Sequence, residues 1–116
     1  MSVYLTERGV RMVRGDSGRL TIQCTGPDGQ PRPFAEGETV VFTVKRSAQD
    51  RTAELTKTVE AFTDAGEAVV EFYPEDTAEL PAGPRWYDAR LRTKDGAVHT
   101  ILPKAEFRLM EEIGHV

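Results

Sequence analysis

Apolar and polar residues alternate with a period of two along most of the chain. In RLTIQCT, Leu20, Ile22 and Cys24 point one way, while Arg19, Thr21, Gln23 and Thr25 point the other. In TVVFTVK, Val40, Phe42 and Val44 share a face, and only Val41 interrupts the polar side. Ala68, Val70 and Phe72 repeat the pattern in EAVVEFY, and Tyr87, Ala89, Leu91 and Thr93 oppose Trp86, Asp88, Arg90 and Arg92 in the next run. Val98, Thr100 and Leu102 form the expected inner set of AVHTIL, and Ala105, Phe107 and Leu109 that of KAEFRLM. Such alternation means one buried and one wet face, as in antiparallel sheets.

Turn signals separate these runs. Pro27-Asp28-Gly29 and Asp95-Gly96 are the strongest, because glycine takes a positive φ without a Cβ clash. A hairpin at Asp95-Gly96 is expected to pair Thr93 with Val98 and Leu91 with Thr100. Residues 52–62 are ambiguous. Leu55, Val59 and Phe62 fit helical spacing, yet Thr52, Thr56, Thr58 and Val59 are β-branched and suit an edge strand, the reading favoured here. PEDTAEL differs from its surroundings: Pro74 followed by acidic residues suits the first turn of a short helix.

Short strands punctuated by frequent turns predict an all-β protein. The expected fold is an immunoglobulin-like antiparallel β-sandwich of about 7–8 strands, with one short helical turn near 74–80. Tyr87, just after that corner, is a candidate for the tyrosine that anchors such corners through its hydroxyl. No Cys…Trp…Cys framework is present, so an antibody-type domain is not expected. The chain of 116 residues suits one domain. The expected division is an N-terminal arm at 1–9, a sandwich at 10–110 and a C-terminal tail at 111–116.

Composition narrows the function. The net charge of -4, with charges interspersed, argues against a nucleic-acid partner. Glu7 and Arg8 break the N-terminus early, so no signal peptide is expected, and no stretch approaches the roughly 20 apolar residues of a membrane span. The single cysteine permits no intrachain disulfide. Cys24, inward beside Ile22, reads as a buried, inert thiol. His99 and His115 are the only imidazoles, and neither has a partner at metal-ligand spacing. Glu75, Asp76 and Glu79 read as a capped helical turn better than as a calcium loop. No catalytic residues, metal ligands or cofactor are therefore expected, and the chain does not read as an enzyme.

Two features invite a recognition role. Arg14-Gly15-Asp16-Ser17 spells an adhesion tetrapeptide, but it abuts a strand starting at Arg19 and reads as a turn. Outward apolar residues on a sheet are more telling. Trp86 and Ile101 fall on the expected wet face of the last hairpin, Val69 and Tyr73 on that of an adjacent strand, and Arg85, Arg90 and Arg92 flank Trp86. Trp, Tyr and Arg are enriched at interaction hot spots, so Trp86, Ile101 and Tyr73 are the candidate partner contacts. The alternative is that Trp86 packs beneath the N-terminal SVYL.

The second half carries a further pattern. Gly66 precedes alternating Ala68, Val70 and Phe72; an Asp76-Thr77…Leu80…Gly83 corner follows; then come a Tyr87-Asp88…Leu91 strand, an Asp95-Gly96 hairpin with Thr100, and a closing Phe107…Leu109 strand. Gly15-Asp16-Ser17, Asp28-Gly29 and Phe42-x-Val44-Lys45 agree more loosely. Together, across about Val10 to Leu109, they resemble the small N-terminal β-sandwich domain of phage baseplate upper proteins and related short tail proteins of phages and prophages. Two departures stand out: Arg85 occupies a position where members often carry Tyr, and full baseplate upper proteins continue into a second domain. The resemblance implies a non-enzymatic virion structural or assembly protein, made in the bacterial host cytoplasm. It would dock on other phage structural proteins of the tail or baseplate, with a homo-oligomer as a further option. The alternative is a carbohydrate- or cell-surface-binding sandwich module.

Overall fold

A computed structural model describes residues 4–6 and 9–114. Eight strands and one short helix follow in chain order: β1 (Tyr4–Thr6), β2 (Gly9–Val13), β3 (Gly18–Ile22), β4 (Thr39–Lys45), β5 (Leu55–Val59), β6 (Ala68–Phe72), α1 (Pro74–Thr77), β7 (Gly83–Arg92) and β8 (Val98–Met110). Six strands form one sheet in the order β1-β2-β8-β7-β4-β5, and β3 pairs with β6 in a second. The core of β8-β7-β4-β5 facing β3-β6 is the arrangement of strands G, F, C and C′ against B and E in an immunoglobulin-like sandwich. β5 reaches across to β6, so the larger sheet curls over the smaller one. No helix among the described residues is long and apolar enough to cross a membrane.

The ambiguous segment is an edge strand: Leu55–Val59 pairs antiparallel with β4, Val40 opposite Val59 and Val44 opposite Leu55. Pro74 opens the expected helical turn, and the Asp76 carboxylate accepts the Tyr73 N–H at 2.7 Å. The N-terminal arm is in part a strand, since β1 folds back on β2; Met1 to Val3, Glu7, Arg8, His115 and Val116 lie outside the described residues.

Three expectations need correction. The sandwich is not wholly antiparallel: β2 runs parallel to β8, Val10 opposite Phe107 and Met12 opposite Leu109. Gly9 makes this approach feasible, because at its φ of +114° a Cβ would lie 2.0 Å from the Glu106 carbonyl oxygen. The last hairpin also closes one residue earlier than expected. Thr93 N–H donates to the Ala97 carbonyl at 2.8 Å and Gly96 N–H to the Thr93 carbonyl at 2.9 Å, with Gly96 at φ +92°. Arg92 therefore faces Val98, and Arg90 faces Thr100. A one-residue slip exchanges the two faces, so Val98 is 45% exposed and Thr100 is also exposed. The ladder then shifts between Tyr87 and Arg90, bringing Leu102 opposite Ala89 and Ala105 opposite Tyr87. Of the two shifts involved, the one between Ala89 and Arg90 skips Ile101, which is half-buried against the core instead of lying on the wet face. Third, Tyr87 is not a corner anchor. It is buried, stacks on Phe42 with centroids 5.2 Å apart, and has no hydrogen bond to its hydroxyl among the described residues.

The core gathers between the sheets as the alternation predicts. Leu20, Ile22, Val70 and Phe72 meet Val40, Phe42, Leu91, Phe107 and Leu109, all buried. Phe42 is central: its ring lies 5.8 Å from Phe72 and 6.2 Å from Phe107, both edge-on. Phe42→Ala is expected to cost about 3–5 kcal/mol by urea unfolding; a loss below about 1 kcal/mol would remove Phe42 from the centre of the fold.

Glu38 gives the fold a pH dependence. Its buried carboxylate accepts from Arg32 at 2.9 and 2.6 Å and from the Ala35 N–H at 2.9 Å. The Arg32 hydrogen bonds, opposed by burial and helped by the Ala35 N–H, hold the Glu38 pKa below the usual carboxylate value. A depressed pKa stabilises the native state above the unfolded carboxylate pKa of about 4.3, and that contribution fades as pH falls through the lower folded value. Wild type is therefore expected to exceed Glu38→Gln in stability near neutral pH, with the gap closing between about pH 5 and pH 3. A gap that stays constant across urea titrations in that range contradicts this.

Candidate interaction surface

Period-two geometry puts Trp86 on the outer face of the larger sheet, between Lys45 of β4 and Glu106 of β8. The ring is 40% exposed, although the neighbouring strands cover both of its flanks. Lys104 Nζ sits 4.9 Å from the ring centroid, a cation–π contact that covers part of the indole without removing it from solvent. Beside Trp86 lies a shallow depression of about 300 Å³, lined by Thr43, Lys45, Ala48, Asp88, Arg90 and Lys104. Lys45 Nζ is turned toward the β4–β5 loop, donating to the Asp50 carbonyl at 2.8 Å. β2 and β8 separate Trp86 from β1, so the indole is not packed beneath that strand.

Tyr73 is exposed at 48%, but on the other sheet, where β6 runs into α1. Its hydroxyl donates to Glu71 at 3.0 Å, and Lys57 Nζ lies 5.0 Å from its ring while pairing with Asp76 at 2.7 Å. The Glu71 hydrogen bond, with the charge of that carboxylate, pushes the Tyr73 pKa up. Glu75 and Glu79 are exposed nearby, while Asp76 is occupied by the cap and Lys57.

Ile101 joins neither aromatic. It lines a cleft of about 670 Å³ between the end of β3 and the start of β8, together with Leu91, Leu102, Arg32, His99 and Cys24. Cys24 is half-buried there, beyond the end of β3, and not fully buried as the alternation suggests. The three candidate contacts therefore fall in three places.

The adhesion-like tetrapeptide is held down. Asp16 N–H donates to the Val13 carbonyl at 3.2 Å, with Gly15 at φ +80°, which makes a tight turn. The Arg14 guanidinium pairs with Glu112 at 2.8 Å and donates to the Leu80 carbonyl at 3.3 Å, and Gly15 N–H donates to Thr77 Oγ1 at 2.8 Å. The Glu112 hydrogen bond raises the Arg14 pKa further. An arginine engaged in this way is not displayed for a receptor.

Arg85, expected to flank Trp86 on the wet face, is instead buried beneath this surface. Arg85 is 1% exposed, paired with Glu54 and donating to the carbonyls of Gly83 and Pro81. The signal was present: extending the inner set Tyr87, Ala89 and Leu91 back by two residues lands on Arg85. Its anchoring of the β7 entry to the β4–β5 loop fixes the strand position of the adjacent Trp86.

Neither known protein families nor characterised proteins show a match to this chain. The fold and the surface thus define an all-β immunoglobulin-like sandwich with an exposed tryptophan on a charged sheet face.

Removing one member of a buried ion pair strands the other. Glu54→Gln and Arg85→Met are each expected to cost about 2–4 kcal/mol, with a double-mutant coupling of about 1–3 kcal/mol. A coupling near zero in urea unfolding would show that Arg85 is held by the carbonyls alone.

Proposed function

We propose that this chain is a non-enzymatic structural or assembly subunit of a tailed-phage or prophage particle, docking on partner subunits of the tail or baseplate. The observation that carries the reading is Trp86, 40% exposed on the outer face of the larger sheet among Lys45, Arg90 and Lys104. A large aromatic amid cations at the middle of a sheet is the residue composition enriched at interface hot spots. The resemblance of Gly66 to Leu109 to the sandwich domain of baseplate upper proteins supports the same reading, and it implies assembly in a bacterial cytoplasm followed by residence in the virion.

Carbohydrate binding is the second reading. It is favoured by the depression beside the Trp86 ring, with Asp88 and Arg90 able to hydrogen-bond hydroxyls, but Lys104 covers part of the indole on which a sugar would stack.

The test is particle composition. In cells carrying the gene on a prophage, induction followed by density-gradient purification is expected to give particles containing the chain. Trp86→Ala should remove it from them while leaving its folding intact. Particles that lack the wild-type chain, or a glycan array bound in a Trp86-dependent manner by a chain that enters no particle, contradict the reading.

A further inference from the structure

Trp86 and Tyr73 lie on opposite sheets, so a single flat interface cannot use both from the same copy. The charges divide along the same line. Strand register places Arg11, Lys45, Arg90, Arg92, Lys104 and Arg108 on the outer face shared with Trp86, against Asp88 and Glu106, with Arg108 paired to Glu106 at 2.8 Å and Lys45 held by the Asp50 carbonyl. Around Tyr73 the exposed carboxylates Glu71, Glu75 and Glu79 outnumber the one exposed cation, Arg19. The cations there are already engaged, Lys57 with Asp76 at 2.7 Å and Arg19 with Glu71 at 3.3 Å. A chain of net charge -4 thus carries one cationic aromatic face and one anionic aromatic face.

We propose that the Trp86 face of one copy receives the Tyr73 face of a second copy of this chain, head to tail. This rests on the assembly-subunit reading above and names the partner. Charge complementarity selects the occupant: two Trp86 faces repel, two Tyr73 faces repel, and the unlike pair attracts. The carboxylates of Glu71 and Glu75 meet Lys45, Arg90 and Lys104 at the rim, and the two aromatic rings supply the apolar centre. Such a contact is heterologous, because each copy that joins leaves one face of each kind unused. It therefore propagates, closing into a ring or extending as a filament.

The test uses the full chain in sedimentation velocity and light scattering. Wild type is expected to exceed the mass of one chain as concentration rises at low salt. It should revert to one chain at about 1 M salt, where the Debye length is about 3 Å. One variant carries Trp86→Ala with Lys104→Gln, and the other carries Tyr73→Ala with Glu71→Gln. All four side chains are exposed and none belongs to the core, and circular dichroism checks that both variants fold. Each variant alone is expected to stay at one chain, and their mixture to form a two-chain species and nothing larger, because each supplies the face the other lacks.

Three results overturn the proposal: a wild type that stays at one chain at every concentration, a Tyr73-face variant that still dimerises alone, or a mixture that does not pair. A wild type that stays at one chain but enters particles through Trp86 overturns the self-contact and leaves the docking reading standing. Head-to-tail assembly by a chain absent from particles does the reverse.

Discussion

Phe42 brings four strands together. Its ring, from β4, packs against Tyr87 of β7, Phe107 of β8 and Phe72 of β6, the last from the opposite sheet. Phe72 and Phe107 also touch each other at 6.2 Å, which closes the cluster. Aromatic rings in offset or edge contact add a geometric preference to the burial they supply. The two sheets are thereby fixed in spacing and rotation, and the alternation of each strand fixes what is left on the outside. The interior is given over to this packing: among the described residues, apart from Arg85, Glu38, Thr77 and three glycines, the buried ones are hydrophobic. Recognition is accordingly a property of the outer faces and of the corners where strands meet loops.

Those corners are built from charge. Arg85 fastens the entry of β7 to the β4–β5 loop through Glu54, and Arg14 fastens the turn after β2 to the carbonyl of Leu80 and to Glu112. Arg32 and Glu38 do the same for the loop before β4. Each guanidinium satisfies backbone carbonyls as well as a carboxylate, which suits the planar fork of arginine better than the single point charge of lysine. With these arginines committed to the scaffold, Arg90 and Arg92 are left on the outer face beside Trp86.

Most of the fold was legible in the residues. Alternation identified the core members Leu20, Phe42, Phe72, Leu91 and Phe107, and β-branching at Thr56, Thr58 and Val59 pointed to the edge strand. What alternation cannot carry is a change of parity. The early closure at Gly96 moves the start of β8 by one residue, and the ladder shifts twice more between Arg90 and Tyr87, once at Ile101 and once where Asp88 meets Pro103 and Lys104. Alternation read run by run was therefore right at Tyr87 and Phe107 and wrong at Val98, Thr100 and Ile101, nearest the hairpin and the shifts. The parallel β2–β8 pairing depends on contacts across nearly the whole chain, which no local pattern encodes. Of the candidate contacts, Trp86 and Tyr73 were readable from strand parity, but their separation onto opposite faces needed the topology. Arg85 was readable too, had inward parity been trusted over the usual exposure of arginine.

Trp86 is the chain's only tryptophan, so its fluorescence reports on this face alone. The most direct measurement is acrylamide quenching of Trp86 in the free chain and in its assembled state. The account predicts efficient quenching when free, followed by strong protection and a blue-shifted emission on assembly. An indole that remains equally open to acrylamide in the assembled state would contradict the claim that this sheet face makes the contact.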